Sequence, residues 1–103
     1  MVATAKQIDF AIGGRSAYTF LKKNMQKKVM QLAKMAANDT GNNWLQEYSY
    51  KMANMGDKNV YVIRLSENLR LIVEILDKEV KILDIINQGL HDVYFKNNKS
   101  TNE

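Results

Sequence analysis

At 103 residues, 46% hydrophobic and 25% charged, the chain has the make-up of one soluble globular domain with apolar side chains enough for a single core. The absence of cysteine excludes disulfides and thiolate metal sites, and no apolar run approaches the ~20 residues that span a bilayer. The net charge of +4 is lopsided: residues 1–59 carry nine Lys/Arg against four acids, and residues 60–103 carry six against seven.

"MVATAKQIDF" has no apolar core of signal-peptide length, so a cytoplasmic protein is expected. "KQIDFAI" (6–12) alternates as a strand, and "GG" at 13–14 ends it. Ser16 then suits a helix N-cap. From there Tyr18, Leu21, Met25, Val29, Leu32 and Ala36 form one helical stripe, with Lys22, Lys23, Lys27 and Lys34 largely off it. The run fits one long helix or two broken near Asn24. Its five lysines between 16 and 38 meet no acid before Asp39. Such a block projects a positive field suited to nucleic acid or an acidic protein, or is simply a solvated lysine-rich face.

"NDTGNN" (38–43) stops the helix by side-chain competition and a glycine C-cap. "WLQEYSYKM" (44–52) fits a helical turn in its first half and a strand in its second, and "ANMGDKN" (53–59) reads as a turn. Three β segments follow: "VYVIRL" (60–65), "LRLIVEIL" (69–76) and "EVKILDII" (79–86). Connections as short as "SEN" and "DK" permit only antiparallel hairpins. The polar tail 96–103 is expected to fray, leaving one domain over 1–95. The expected fold class is α+β: an antiparallel sheet with N-terminal helices packed on one face.

Register decides where the arginines point. A three-residue loop at Ser66–Asn68 pairs Leu65 with Leu69 and sets Arg64 opposite Arg70. A two-residue loop moves Arg64 onto the face of Leu69, Leu71, Val73 and Ile75, where an unpaired guanidinium would cost several kcal/mol. Hydrophobic patterning therefore selects the longer loop. Two arginines facing each other repel by ~0.5 kcal/mol, which Glu67 or Glu74 could offset in a solvated cluster. A bound phosphate, gripped by two guanidinium forks, is the alternative.

A two-residue turn at Asp77–Lys78 sets Glu74 opposite Lys81 and brings the end of the last strand beside Arg70. His91 and Tyr94 follow shortly, towards the same sheet end. Two arginines, a histidine and a tyrosine there suit metal-free phosphodiester chemistry; a surface histidine and a tail-anchoring tyrosine are the ordinary alternative. Asp84 is the misfit, since an uninterrupted register puts it opposite Leu71 on the core face.

The order of helices, "VYVIRLSENLRLIVEI", "EVKILDII" and "HDVYF" resembles the RelE/ParE superfamily of small bacterial toxins, most of all the RelE- and HigB-like mRNA interferases. The resemblance covers roughly residues 51–95 and rests on the Arg64-x5-Arg70 hairpin and the closing "HDVY". It implies a RelE-like fold and a toxin of a type II toxin–antitoxin system that cuts mRNA on the ribosome with no metal or cofactor. In that chemistry the RNA's own 2′-hydroxyl attacks the phosphate, and the protein orients, stabilises charge and moves protons. By position, Arg70 would stabilise the phosphorane and Arg64 would assist. His91 would act as general acid or base, an imidazole ordinarily titrating at about 6.5. Tyr94 would stack on a base or share the proton work. Lys51 and Lys58, with Lys22, Lys23 and Lys27, would bind nucleic acid.

The implied partners are a cognate antitoxin, mRNA and the ribosome, with no membrane. Two other readings stay open: a ParE-like toxin that binds DNA gyrase and cleaves nothing, and a small basic nucleic-acid-binding domain without catalysis. The chain has neither a GxxxxGK phosphate loop nor a Cys/His metal set.

Overall fold

The computed structural model describes residues 5–39, 43–52 and 56–87. In chain order these form β1 (Gln7–Phe10), α1 (Ile12–Thr19), α2 (Lys23–Ala37), α3 (Asn43–Tyr48), β2 (Ser49–Lys51), β3 (Val60–Arg64), β4 (Leu69–Ile75) and β5 (Glu79–Asn87). The strands make one sheet in the order β1-β5-β4-β3-β2. The three segments read as hairpins pair antiparallel, and β2 adds antiparallel outside β3. At the other edge β1 runs parallel to β5, Gln7 opposite Glu79 and Phe10 opposite Ile82. The architecture is α+β with a mostly antiparallel sheet, and no helix among the described residues is long and apolar enough to cross a membrane.

The N-terminal region departs from the sequence reading. The two glycines do not end the strand as a loop. They lie inside α1, which begins at Ile12 after the extended Ala11, and Ser16 is an interior helical residue. The cause is a contact made far along the chain. A Cβ on Gly14 would stand 2.2 Å from the Ile82 carbonyl oxygen, so only glycine lets α1 lie this close to β5. Ala11 N–H donates to the same carbonyl at 2.9 Å, fixing the point where the chain leaves the sheet.

Of the two possibilities for the lysine-rich run, two helices form, with the break at Phe20–Lys22, just before Asn24. Gln26 Nε2 donates to the Tyr18 carbonyl at 2.9 Å and ties α2 back to α1. At the far end Asn38 caps α2 in right-handed geometry. Its backbone N–H and its side-chain Nδ2 both donate to the Lys34 carbonyl, at 3.0 and 2.8 Å. The expected glycine cap, Gly41, lies outside the described residues. Asp39 then starts α3, its two carboxylate oxygens accepting the Trp44 and Leu45 N–H groups at 3.0 and 2.9 Å. Both halves of the ambiguous 44–52 stretch are realised, α3 first and β2 after it.

Val29, Ala33, Ala36 and Ala37 of α2 press onto one face of the sheet, against Ile63, Leu65, Leu71, Val73, Val80 and Ile82. Alanines on the helix let its backbone approach, while the strands supply the volume. Leu71, Ile63 and Ile82 are each almost wholly buried, worth about 1.5–3 kcal/mol apiece. The opposite, outer face holds a second, smaller cluster of Met52, Val60 and Val62, with Ile72 and Leu83 against it.

Candidate active site

The loop between β3 and β4 has the three-residue form that hydrophobic patterning selects, and Arg64 stands directly opposite Arg70. Leu65 N–H and Ser66 N–H both donate to the Leu69 carbonyl, at 3.0 and 3.2 Å, and the Ser66 hydroxyl accepts from Leu69 N–H at 3.2 Å. The loop is therefore closed by its own hydrogen bonds.

Neither Glu67 nor Glu74 neutralises the arginine pair through its carboxylate. Arg70 instead folds back over the loop, where Nη1 meets the carbonyl oxygens of Ser66, Leu69 and Glu67 at 2.9, 3.0 and 3.4 Å. Three carbonyl dipoles thus anchor one corner of the guanidinium. Nε and Nη2 have no partner among the described residues, which leaves donors of a half-buried, pre-aimed cation for a ligand. Arg64 is exposed and makes no hydrogen bond or ion pair among the described residues. An anchored arginine beside a free one is a suitable seat for a phosphate, because the anchored group has little conformational entropy left to lose on binding.

The next rungs of the outer face follow from pairing. Glu74 stands opposite Lys81, as the turn at Asp77–Lys78 requires. Between that rung and the arginines the register breaks. Val73 faces Ile82, but Ile72 faces Asp84, so Leu83 is the extra residue of a β-bulge. The bulge corrects the expected placement of Asp84 on the core face. Ile85 turns inward in its stead and is buried, while Asp84 joins Ile72 on the outer side, half-buried. The Asp84 carboxylate holds the new register by accepting Ile85 N–H at 2.8 Å.

Of the other expected site residues, His91 and Tyr94 lie outside the described residues. The lysines do not gather around the arginines. Lys51 is opposite Tyr61, a core residue, and so belongs to the helix side of the sheet. Lys58 is exposed in the segment before Val60, at the end of β3 away from Arg64. Lys22 precedes α2, and Lys23 and Lys27 lie on it, in the layer that packs on the other face of the sheet. There Lys23, Lys27 and Lys34 line an open groove of about 460 Å³ with Tyr18, Gln26 and Met30. The described residues therefore carry two cationic surfaces, an arginine pair on the sheet and a lysine groove on the helices.

Two outer-face residues escaped the sequence reading. Tyr50, opposite Val62, is 45% exposed and can stack on a base. Its signal was the alternation in "YSYKM". The other is Asp84, whose signal was the misfit itself, a carboxylate assigned to a core.

No protein-family model matches the sequence, and no curated protein matches it. Solved structures do match the fold. The RelE–RelB complex of the archaeon Pyrococcus horikoshii is similar at 19% identity over 84% of this chain and 98% of the other, with a TM-score of 0.65. The YoeB dimer of Staphylococcus aureus is similar at 22% identity over 81% and 97%, with a TM-score of 0.66. The Escherichia coli DinJ–YafQ toxin–antitoxin complex is similar at 10% identity over 84% and 97%, with a TM-score of 0.60. The chain has the fold of these RelE-like toxins.

Proposed function

We propose that this chain, built on the RelE-like toxin fold, is the toxin of a type II toxin–antitoxin pair and a metal-independent endoribonuclease acting on mRNA at the ribosome. The observation that carries the reading is the facing pair Arg64–Arg70 on the outer face, one guanidinium anchored by loop carbonyls and the other without a partner among the described residues. The matched structures that are complexes with antitoxins support the partner, and the YoeB, YafQ and RelE likeness supports the class of activity.

In this reading the RNA lies across the outer face with its scissile phosphate between the two arginines. Their donors take up charge as the phosphorane forms, in a position fixed before the substrate arrives. Tyr50, and Tyr94 beyond the described residues, stack on flanking bases, and His91 protonates the leaving 5′-oxygen. The test is induction in growing bacteria with mapping of mRNA 5′ ends. New ends within translated regions, in register with codons, are expected. Intact mRNA with a DNA-damage response would replace this reading with gyrase binding on the same fold.

The lysine groove on α2 is the second part of the reading, a surface for an acidic partner segment or an RNA backbone. Lys22, Lys23 and Lys27 replaced together by glutamate should slow association with the product of the adjacent gene and flatten its salt dependence. An association rate and salt slope equal to the parent's, with weaker ribosome binding, would assign the lysines to RNA.

A further inference from the structure

We infer that Asp84 is the general base that takes the proton from the attacking 2′-hydroxyl. The inference rests on the endoribonuclease reading and adds to it the proton acceptor that the arginines cannot provide. Transesterification at an RNA phosphate needs such an acceptor on the same face as the group that holds the phosphate.

The described residues of the outer face offer few. Glu74 stands two rungs from Arg70 and faces Lys81 in an opposite-charge pair. Glu67 is exposed in the loop, on the far side of the arginines from the sheet. Asp84 lies one rung from Arg70: Arg70 faces Ile86, and Asp84 is two residues earlier on that strand. Diagonal neighbours of this kind have backbones roughly 7–8 Å apart, and with the Arg70 guanidinium drawn towards the loop the gap leaves room for a phosphate at the arginine and its adjacent ribose towards the carboxylate.

The bulge makes this arrangement. Without Leu83 as an unpaired residue, the register would put Asp84 on the core face; with it, Asp84 falls on the face that carries Arg70. Bulges cost ladder hydrogen bonds, and this one has a specific result, the re-aiming of one acid. One carboxylate oxygen, Oδ1, is held by Ile85 N–H at 2.8 Å, and Oδ2 has no partner among the described residues. Gly13 presents no side chain on that flank, where even a Cβ would come 3.9 Å from the Asp84 carboxyl carbon. The acid is oriented by one oxygen, and the other has no partner among the described residues.

The step balances without further reagents. Asp84 Oδ2 takes the 2′-hydroxyl proton, the 2′-oxygen forms a bond to phosphorus, and the bond from phosphorus to the 5′-oxygen breaks. The departing 5′-oxygen takes a proton from solvent or from a general acid, and Asp84 returns its own proton to solvent. The products are a 2′,3′-cyclic phosphate and a 5′-hydroxyl end.

Asp84→Asn separates chemistry from structure, because its amide oxygen can still accept Ile85 N–H. With mRNA-programmed ribosomes, kcat should fall at least about a hundredfold while KM stays within about twofold of the parent's. Binding to ribosomes carrying mRNA with a 2′-deoxy residue at the cut site should be unchanged. A variant that cleaves within a few-fold of the parent rate overturns the assignment and leaves the nuclease reading intact. A variant that loses 2′-deoxy binding and thermal stability together overturns it too, and makes Asp84 a bulge lock. A parent protein that cleaves no mRNA removes both.

Discussion

Arg70→Ala should abolish growth inhibition and lower mRNA cleavage by about 10²–10³, the usual cost of one lost transition-state donor. Its effect on the fold should be small but measurable. The side chain leaves Ser66, Leu69 and Glu67 carbonyls without their shared donor, at an edge where water can replace it, for a loss of about 1 kcal/mol. Arg70→Lys sharpens the result. A lysine retains the charge but lacks the fork, and it cannot anchor on the loop while presenting further donors to a phosphate. Single-turnover cleavage read beside thermal unfolding distinguishes the two roles. Lysine should restore most of the stability and little of the rate. Full cleavage by a folded Arg70→Ala protein would dismiss the arginine pair as the phosphate seat.

The largest effect on stability is expected at Gly14. The added methyl of Gly14→Ala would meet backbone, with the Ile82 carbonyl oxygen at 2.2 Å and its carbon at 2.9 Å. Backbone in the middle of a sheet cannot step aside as a side-chain end does, so α1 must lift from β5. The cost is about 3 kcal/mol or more, despite the helix propensity gained on replacing glycine. Gly13→Ala is the internal control. Its nearest neighbour, the Leu83 carbonyl oxygen, is at 3.2 Å, which a shift of a few tenths of an ångström relieves. Chemical denaturation of the two variants should therefore give clearly different midpoints. Equal midpoints would mean that α1 does not rest on β5 as described.

The contrast between those glycines also shows what the sequence could and could not disclose. The loop at Ser66–Asn68 was legible because a one-residue error would have buried Arg64, a penalty written into adjacent residues. The turn at Asp77–Lys78 was legible for the same local reason, and it places Glu74 opposite Lys81. The glycine pair was misread because its purpose is set by a carbonyl on β5, far along the chain, and nothing near residue 13 announces it. The bulge lies between these cases. Alternation fails at "ILDII", but a failure of alternation does not say where the extra residue sits until α1 and β1 are known to share Ile82. The arginine half of the candidate site was thus readable, and the acid half was visible only as an inconsistency. The lysines were correctly seen as a block, yet only the packing of α2 on the far face divides them from the arginines.

The parallel pairing of β1 with β5 bears on when the protein can exist as a folded object. Gln7 waits for Glu79, and α1 settles against Ile82, so among the described residues the first strand synthesised joins the last one. Closing so long a loop is entropically slow, and the hairpins β3–β4 and β4–β5 can form earlier on local contacts. A nascent chain still lacking β5 has neither the docked α1 nor the bulge that turns Asp84 outward. If the proposed activity holds, assembly of the active face is deferred until translation of the sheet is complete, and the ribosome making the protein is spared by the order of its strands.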